Sequence, residues 1–212
     1  MIKNIQEIIR STVQGEGFHA GTICSFIRLF GCPVMCDFCD TGYADADNIR
    51  QMKRLAFHLT DDELLYKNLL LHDTVVISGG EPFYHSDLEY LLFCLKQSLK
   101  KIHIETSGHA DFDFRKLKDC WITLSPKDHL KGEKKIKDKW WKRADEVKLV
   151  VRKKEDFEFY GDLMLRDIKR CYLQPEWNTL QESLEVCMYL LDKYQMFDFR
   201  LSVQTHKFLN LP

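Results

Sequence analysis

The chain has 212 residues, of which 45% are hydrophobic and 30% charged, and its formal net charge is -1. This length predicts a single domain over residues 1–212, with a core large enough to enclose a small-molecule cavity. The near-neutral charge excludes a general electrostatic attraction to nucleic acid or to membranes. No apolar run has the length of a membrane span, and the first residues lack the apolar stretch of a signal peptide. We therefore expect a cytoplasmic protein whose eight cysteines are metal ligands, redox groups or buried apolar residues rather than disulfides.

Short segments rich in β-branched and aromatic residues alternate with amphipathic helical patterns along the chain. The predicted strands are residues 23–30, 74–78, 101–105, 121–124, 146–151, 171–173 and 200–203. This alternation predicts an α/β fold of right-handed βαβ units around a mostly parallel sheet. Functional groups should gather at the carboxyl ends of the strands.

Three Ser/Thr-x-x-Glu sequences predict capping boxes at helix starts. They are Thr60 with Glu63, Ser86 with Glu89, and Thr179 with Glu182. After the second and third of these, apolar residues continue at helical spacing. Those residues are Leu88, Leu91, Leu92, Leu95 and Leu99, and then Leu180, Leu184, Cys187, Leu191 and Tyr194. One face of each helix should therefore lie on the sheet.

Residues 127–143 depart from this rhythm, because eight Lys and Arg residues surround Trp140 and Trp141 with little periodicity. We interpret the segment as a loop or short helix that covers an active site. A basic, aromatic stretch can also contact RNA, but the acidic residues within it dilute its charge.

A cysteine cluster, C-x3-C-x2-C, follows directly on the first predicted strand and consists of Cys32, Cys36 and Cys39. A single loop with this spacing can bind three irons of a 4Fe–4S cube and leave the fourth iron open to a substrate. The alternative is a structural zinc site, which needs a fourth protein ligand. The nearest candidates, His19, Cys24 and Asp37, do not continue the spacing. The remaining cysteines, namely Cys24, Cys94, Cys120, Cys171 and Cys187, are interpreted as core residues.

The cysteine motif, with Phe38 before its last cysteine, resembles the C-x3-C-x-aromatic-C of the radical S-adenosylmethionine (SAM) superfamily. A second match supports this resemblance, because residues 78–82 read Ser-Gly-Gly-Glu-Pro and are similar to the GGEP motif of that superfamily. In the superfamily, the backbone of this motif and its Glu bind the methionyl ammonium of SAM, which implies such a role for Gly80 and Glu81. Taken alone, the same residues are also typical of a turn that ends a strand.

From residue 13 to its end, the sequence resembles the family of 7-carboxy-7-deazaguanine synthases. The resemblance implies a shortened, partial radical SAM barrel, a homodimer, and conversion of 6-carboxy-5,6,7,8-tetrahydropterin to 7-carboxy-7-deazaguanine with loss of ammonia, in queuosine and deazapurine precursor biosynthesis. It also implies a 4Fe–4S cluster, SAM that is regenerated in each turnover, Mg²⁺, and an electron donor such as flavodoxin or ferredoxin.

The same resemblance implies the substrate and metal residues. Glu16 and Arg28 would be catalytic, and the Thr41 hydroxyl would meet Mg²⁺, although Thr41 alone would be interpreted as a helix cap. The implied substrate-binding residues are Val13, Gln14, Gly15, Arg28, Ser78 and Pro212. Arg28 interrupts an apolar strand, where a guanidinium is costly unless a carboxylate neutralises it. That carboxylate would come from the substrate or, alternatively, from Glu16.

The implied SAM-binding residues lie in several short motifs along the chain. They are Phe38, Cys39 and Asp40 beside the adenosine, Glu105 in residues 105–108, Ser125, Pro126 and Lys127 in an S-P-K motif, and Gln174, Pro175, Glu176 and Trp177 in the turn that reads adenine. Residues 204–207, Gln-Thr-His-Lys, resemble the closing signature of the family.

Two other functions stay open on the sequence alone. One is a glycyl-radical-type activating enzyme, which shares the cysteine triplet but acts on a protein. The other is a zinc-binding RNA-modification subunit that uses the basic segment 127–143.

Overall fold

The computed structural model describes residues 1–66, 69–133, 135–165 and 168–212. Within these ranges the chain forms one nine-stranded mixed sheet, in the order β3-β1-β2-β4-β5-β6-β7-β8-β9. The strands are β1 (Ile2–Val13), β2 (Ile23–Leu29), β3 (Phe57–Leu59), β4 (Thr74–Gly79), β5 (Lys101–Thr106), β6 (Cys120–Leu124), β7 (Glu146–Val151), β8 (Cys171–Pro175) and β9 (Phe199–Leu201). From β2 onward each neighbouring pair is parallel. The predicted α/β class with a mostly parallel, partial barrel is confirmed.

Two strands at one end of the sheet were not predicted. β1 pairs antiparallel with β2, with register shifts between Ile5 and Glu7 and between Ile9 and Thr12. Each shift inserts residues out of alternation, so the isoleucines of β1 follow no period of two. β3 has only three residues, which is too short for a periodic signal.

Helices flank the sheet, and several of them bury apolar residues against it. They are α1 (Ala46–Leu55), α2 (Asp61–Tyr66), α3 (Leu88–Gln97), α4 (Asp138–Arg143), α5 (Lys154–Glu158), α6 (Gly161–Met164), α7 (Leu180–Lys193) and α8 (Thr205–Phe208). α3 buries Leu88, Leu91, Leu92 and Leu95 as predicted. Leu99 is 89% exposed, because the helix has already ended and Leu99 has a positive φ of 56°. In the part of the chain that the structure describes, no helix is long and apolar enough to cross a membrane.

One of the three predicted capping boxes forms. The Thr60 amide donates to the Glu63 carboxylate at 3.0 Å, and the Glu63 amide donates to the Thr60 hydroxyl at 3.2 Å. At α3 the N-cap is Asp87 and its side chain makes no capping bond. The box of Thr179 with Glu182 is also wrong. The Glu176 carboxylate instead accepts from the Asn178 and Thr179 amides and caps the 3₁₀ turn Trp177–Thr179 that precedes α7.

The basic segment 127–143 is a 3₁₀ turn (Asp128–Leu130) followed by α4, as the prediction of a loop or short helix requires. Lys134 lies outside the described residues. Trp140 is fully buried and donates its indole N–H to the Ala110 carbonyl at 2.8 Å. Lys137 and Lys139 both pair with Asp111. These lysines therefore share a carboxylate partner within the chain, which offsets part of the positive charge of the segment.

Candidate active site

A cavity of about 460 Å³ opens at the carboxyl ends of the parallel strands. All residues with a predicted role line it except Glu81 and Pro126. Residues without a predicted role line it too, among them Lys148, Gln204 and His206. This location agrees with the rule that ligands of parallel sheets bind at the carboxyl ends of the strands.

The cysteine loop lies directly against the glycine turn after β4. The Gly80 amide donates to Leu29 O at 3.1 Å, and the Glu81 amide donates to Gly31 O at 2.9 Å. Gly79 has a φ of +135°, and a Cβ there would lie 2.1 Å from the Leu29 oxygen. A Cβ on Gly80 would lie 1.9 Å from the Gly31 oxygen. Only glycine permits this approach, which brings the turn and the cysteine loop to one cavity wall.

The three thiols of the cysteine loop line the cavity and are unpaired. Burial raises the pKa of Cys36 to about 11. Burial also raises the pKa of Cys32, although backbone N–H groups of Met35 and Val34 donate to its sulfur and oppose this effect. N–H groups aimed at sulfur suit a thiolate that binds iron. The donor set therefore fits an iron–sulfur cluster.

Among the residues that the structure describes, no three His, Cys, Asp or Glu side chains converge on a point where one metal ion would sit. A 4Fe–4S cube instead binds each thiolate through a different iron, so its cysteines surround a volume. The candidate fourth zinc ligands also lie elsewhere. His19 packs on Trp121 with ring centroids 4.4 Å apart, Asp37 pairs with Arg152 at 2.8 Å, and Cys24 does not line the cavity.

The Glu81 carboxylate does not face the cavity. It is buried and accepts from the Thr106 hydroxyl at 2.6 Å, the Ser107 amide at 2.7 Å and the Phe83 amide at 3.2 Å. These bonds tie the turn after β4 to the end of β5. The predicted contact of Glu81 with SAM would have to compete with them, whereas Gly80 lines the cavity as expected.

Arg28 extends into the cavity from β2, opposite Ser78 in the register of β4. Its guanidinium donates to Glu7 at 3.1 Å and to the Thr41 hydroxyl at 3.2 Å. The internal partner is therefore Glu7, not Glu16 as the sequence-based alternative has it. Among the contacts that the structure describes, these bonds engage Nε and Nη1 of Arg28, so Nη2 can still donate to a ligand carboxylate.

Glu16 pairs with Lys148, a buried lysine that the sequence reading missed. Burial raises the pKa of Glu16, but the charge of Lys148 and hydrogen bonds from Lys148 and Gln204 outweigh this and lower it to about 2. The sequence does carry a signal for this lysine, because Lys148 interrupts the apolar strand β7 as Arg28 interrupts β2. An isolated charge on a buried strand predicts a buried partner or a ligand.

The end of the chain closes the other side of the cavity. The Gln204 amide bridges two carboxylates, Glu16 at 2.6 Å and Asp40 at 2.9 Å. The Thr12 hydroxyl donates to the Pro212 carbonyl at 2.8 Å. A Cβ on Gly15 would lie 1.9 Å from His206 Nδ1, so Gly15 allows the terminal segment to approach.

The remaining predicted SAM residues, apart from Pro126, also line the cavity. The Lys127 ammonium donates to the Ser125 hydroxyl at 2.6 Å, and burial lowers the pKa of Lys127. Gln174 accepts from the Ser202 hydroxyl at 2.9 Å. Glu176 lines the cavity, but its carboxylate is occupied as the cap described above. Which ligand each of these residues contacts stays a prediction.

The family model described as the radical SAM superfamily matches residues 26–151, and the chain belongs to that superfamily of enzymes. The Buchnera aphidicola protein named 7-carboxy-7-deazaguanine synthase is 36% identical over 231 residues, covering 98% of each chain. The Synechocystis protein of the same name is 35% identical over 210 residues, covering 94% of this chain and 89% of that one. The crystal structure of QueE from Escherichia coli superposes with a TM-score of 0.71 at 29% identity, covering 97% of this chain and 94% of that one. The chain therefore belongs to the family of 7-carboxy-7-deazaguanine synthases.

Membership of the superfamily implies a 4Fe–4S cluster and SAM as the cofactors of this enzyme. The two alternatives, a glycyl-radical-type activating enzyme and a zinc-binding RNA-modification subunit, are not favoured by these relatives.

Proposed function

We propose that this chain is the radical SAM lyase that converts 6-carboxy-5,6,7,8-tetrahydropterin to 7-carboxy-7-deazaguanine with loss of ammonia, supplying a queuosine-type deazapurine precursor. One observation carries this proposal. A single cavity is lined both by the three cysteines of the cluster motif and by polar side chains suited to a carboxylated pterin.

When bound, the cluster and SAM would supply a 5′-deoxyadenosyl radical that takes a hydrogen atom from the substrate. Cys32, Cys36 and Cys39 would bind the cluster, and the glycine edge at Gly80 would receive SAM. Phe38 and Lys127 line the same wall and would contact SAM as well. These residues account for the cofactor half of the cavity.

The substrate half presents the Arg28 guanidinium and several hydrogen-bond acceptors. Arg28 would bind the 6-carboxylate, because a guanidinium pairs with a carboxylate through two hydrogen bonds. The Thr41 hydroxyl, 3.2 Å from Arg28, would contribute one oxygen ligand to Mg²⁺ beside that carboxylate. Gln14 and Glu16 would accept from the amino edge of the pterin, with Val13, Gly15, Ser78 and Pro212 shaping its pocket.

We further propose that residues 1–212 form one radical SAM domain and that the protein is a cytoplasmic homodimer reduced by a flavodoxin- or ferredoxin-type donor. All eight cysteines are free thiols, which suits a reducing compartment. Size-exclusion chromatography with light scattering tests the dimer, and reduction by each purified donor tests the electron source.

The decisive experiment is anaerobic turnover of the reconstituted enzyme with SAM, dithionite, Mg²⁺ and 6-carboxytetrahydropterin, followed by mass spectrometry. We expect 7-carboxy-7-deazaguanine and ammonia in equal amounts. Formation of 5′-deoxyadenosine without this product would preserve the radical chemistry and reject the proposed substrate.

Arg28→Gln tests the carboxylate contact. Loss of a hydrogen bond to a charged group costs about 1.5–3 kcal/mol, which corresponds to a roughly 10- to 150-fold higher KM for the carboxylated pterin. Arg50→Gln is the matched control, because Arg50 is exposed on α1 and pairs only with Asp47 among the ion pairs that the structure describes. Equal KM values for the two variants would reject the role of Arg28.

A further inference from the structure

Lys148 is the most deeply buried cation of the cavity. It lies on β7 with a side chain 5% exposed, and its ammonium faces two carboxylates. It forms a salt bridge with Glu16 and lies 3.8 Å from Oε1 of Glu105. Its neighbours on the strand, Val147 and Leu149, are fully buried, so β7 holds the lysine rigidly.

The two carboxylates come from distant parts of the chain. Glu16 lies in the loop after β1, and Glu105 lies near the end of β5. Each is also held by an amide: Gln204 donates to Glu16 at 2.6 Å, and Gln14 donates to Glu105 at 3.0 Å. Lys148 is thus the cation at the centre of this group, and it joins the loop, the sheet and the terminal segment.

Removal of the ammonium would leave like charges facing each other in a buried site. A third carboxylate, Glu146, lies two residues before Lys148 on β7 and accepts from the Thr123 hydroxyl at 2.7 Å and the Phe18 amide at 2.7 Å. Two carboxylates of like charge without a cation repel or take up a proton. Either response would move or neutralise Glu16 and Glu105, which line the cavity.

Lys148 itself is unsuited to acid–base chemistry. Burial lowers the pKa of Lys148, but the charges of Glu105 and Glu16 outweigh burial and raise it above its usual range. The ammonium therefore stays charged at working pH and acts by position. An anionic pair held at a fixed spacing is an acceptor for a donor-rich ring edge, such as one that presents an amino group and a ring N–H.

We propose that Lys148 is a positioning residue that holds Glu16 and Glu105 where they accept hydrogen bonds from the amino-pyrimidinone edge of the substrate, which gives Glu105 a role at the substrate in place of the role at SAM that the resemblance implies. This inference rests on the proposed function and adds the residue that orients the substrate. Lys148 acts through the two carboxylates and makes no contact with the reacting atoms.

The test compares Lys148→Met and Lys148→Arg with the wild-type enzyme, each carrying a full cluster. We measure KM for the pterin, the dissociation constant of SAM, and the amount of 5′-deoxyadenosine released per product. Lys148→Met should raise KM about 10- to 150-fold, as expected for losing a hydrogen bond to a charged group, and should release more 5′-deoxyadenosine per product. The SAM dissociation constant should change less than about twofold, and Lys148→Arg, which keeps the charge, should recover part of the KM.

A second measurement separates a loss of substrate orientation from a general disruption of the cavity. Inhibition by a pterin is compared with inhibition by the lumazine analogue, in which an oxygen replaces the amino group. The wild-type enzyme should prefer the pterin, and Lys148→Met should lose that preference. The control is Lys96→Met, whose ammonium is held by the carbonyls of Lys116 and Lys118 away from the cavity, and it should retain the preference.

The outcomes are distinct. If the wild-type enzyme forms no 7-carboxy-7-deazaguanine, the proposed function fails. If the wild-type enzyme turns over while Lys148→Met keeps its KM and its pterin preference, the positioning role fails. Equal losses of SAM and pterin affinity would show a merely structural role and overturn the inference. Should Lys148→Met not fold, Lys148→Gln takes its place and the same two readouts decide.

Discussion

Substitution of Gly80 by alanine tests the close approach between the glycine turn and the cysteine loop. The added Cβ would lie 1.9 Å from the Gly31 oxygen and 2.7 Å from Cβ of Cys32. These atoms belong to the loop that carries the cluster ligands, so no flexible side-chain end can move aside. The Gly31 oxygen would have to retreat by about 1.5 Å to reach ordinary van der Waals distance.

This retreat has a calculable cost. It breaks the 2.9 Å bond from the Glu81 amide to Gly31 O, worth about 1 kcal/mol. Overpacking adds about 1–3 kcal/mol. We therefore expect Gly80→Ala to lose about 2–4 kcal/mol of folding free energy, which lowers Tm by roughly 4–16 °C in a chain of this size.

The assay combines thermal unfolding with iron and sulfide analysis after anaerobic reconstitution. Gly80→Ala should bind less iron per chain than the wild-type protein, because Cys32 is displaced. Gly161→Ala is the matched control. A Cβ there meets nothing within 4 Å, and alanine is favoured over glycine in a helix such as α6. Wild-type Tm and iron content in Gly80→Ala would refute the steric argument.

Three further predictions concern the cluster ligands, the apolar core and the pH dependence of stability. Cys36→Ala should abolish bound iron and sulfide. Cys94→Ala, on the buried face of α3, is the control and should keep both. Iron bound by Cys36→Ala would contradict the cluster assignment. Trp140→Ala should cost about 3–5 kcal/mol in denaturant unfolding, because the indole is fully buried, and a loss below about 1 kcal/mol would contradict its place in the core. Burial lowers the pKa of His103 to about 4 from 6.5, so unfolding takes up a proton and stability should fall as pH drops from 6.5 to 4. His103→Phe should flatten that fall in thermal scans at stepped pH, and an unchanged profile would assign the effect to another group such as neighbouring His19.

The strands that could be predicted are those whose signal is local. β4 to β8 are largely buried and appear as short runs of β-branched, aromatic and other apolar residues. β1 carries the same residue types, but its register shifts break the alternation, so its pattern indicates no strand. α3 was predicted in place, but its cap was not. Ser86 and Glu89 have the right spacing, and only the fold shows that Glu89 pairs with Lys116 instead.

The cofactor half of the cavity was predictable for a similar reason. The cysteine loop and the Gly79–Gly80 turn are short contiguous motifs, and each needs its particular residue types. The carboxylates of Glu81 and Glu176 were harder to place. Each lies in a motif that suits a ligand, yet the Glu81 carboxylate accepts from the Phe83 amide and the Glu176 carboxylate accepts from the Asn178 amide. A motif predicts which residues lie close together. It does not predict which of their side chains form hydrogen bonds within the chain rather than to a ligand.

The substrate half depends on contacts between distant segments, and this explains what the sequence reading missed. Glu16 meets Lys148 and Gln204, and Gln14 meets Glu105, so each bond joins segments far apart in the chain. Such pairs produce no periodic pattern in the sequence. The only local sign of them is the isolated charge of Lys148 on an apolar strand. Because these bonds are formed between groups of the chain itself, they orient the acceptors of the cavity. Preorganised acceptors favour a substrate that needs little rearrangement to bind. Contacts between distant segments cannot be predicted from local sequence patterns. The same contacts orient the acceptors and would therefore make the cavity selective for its substrate.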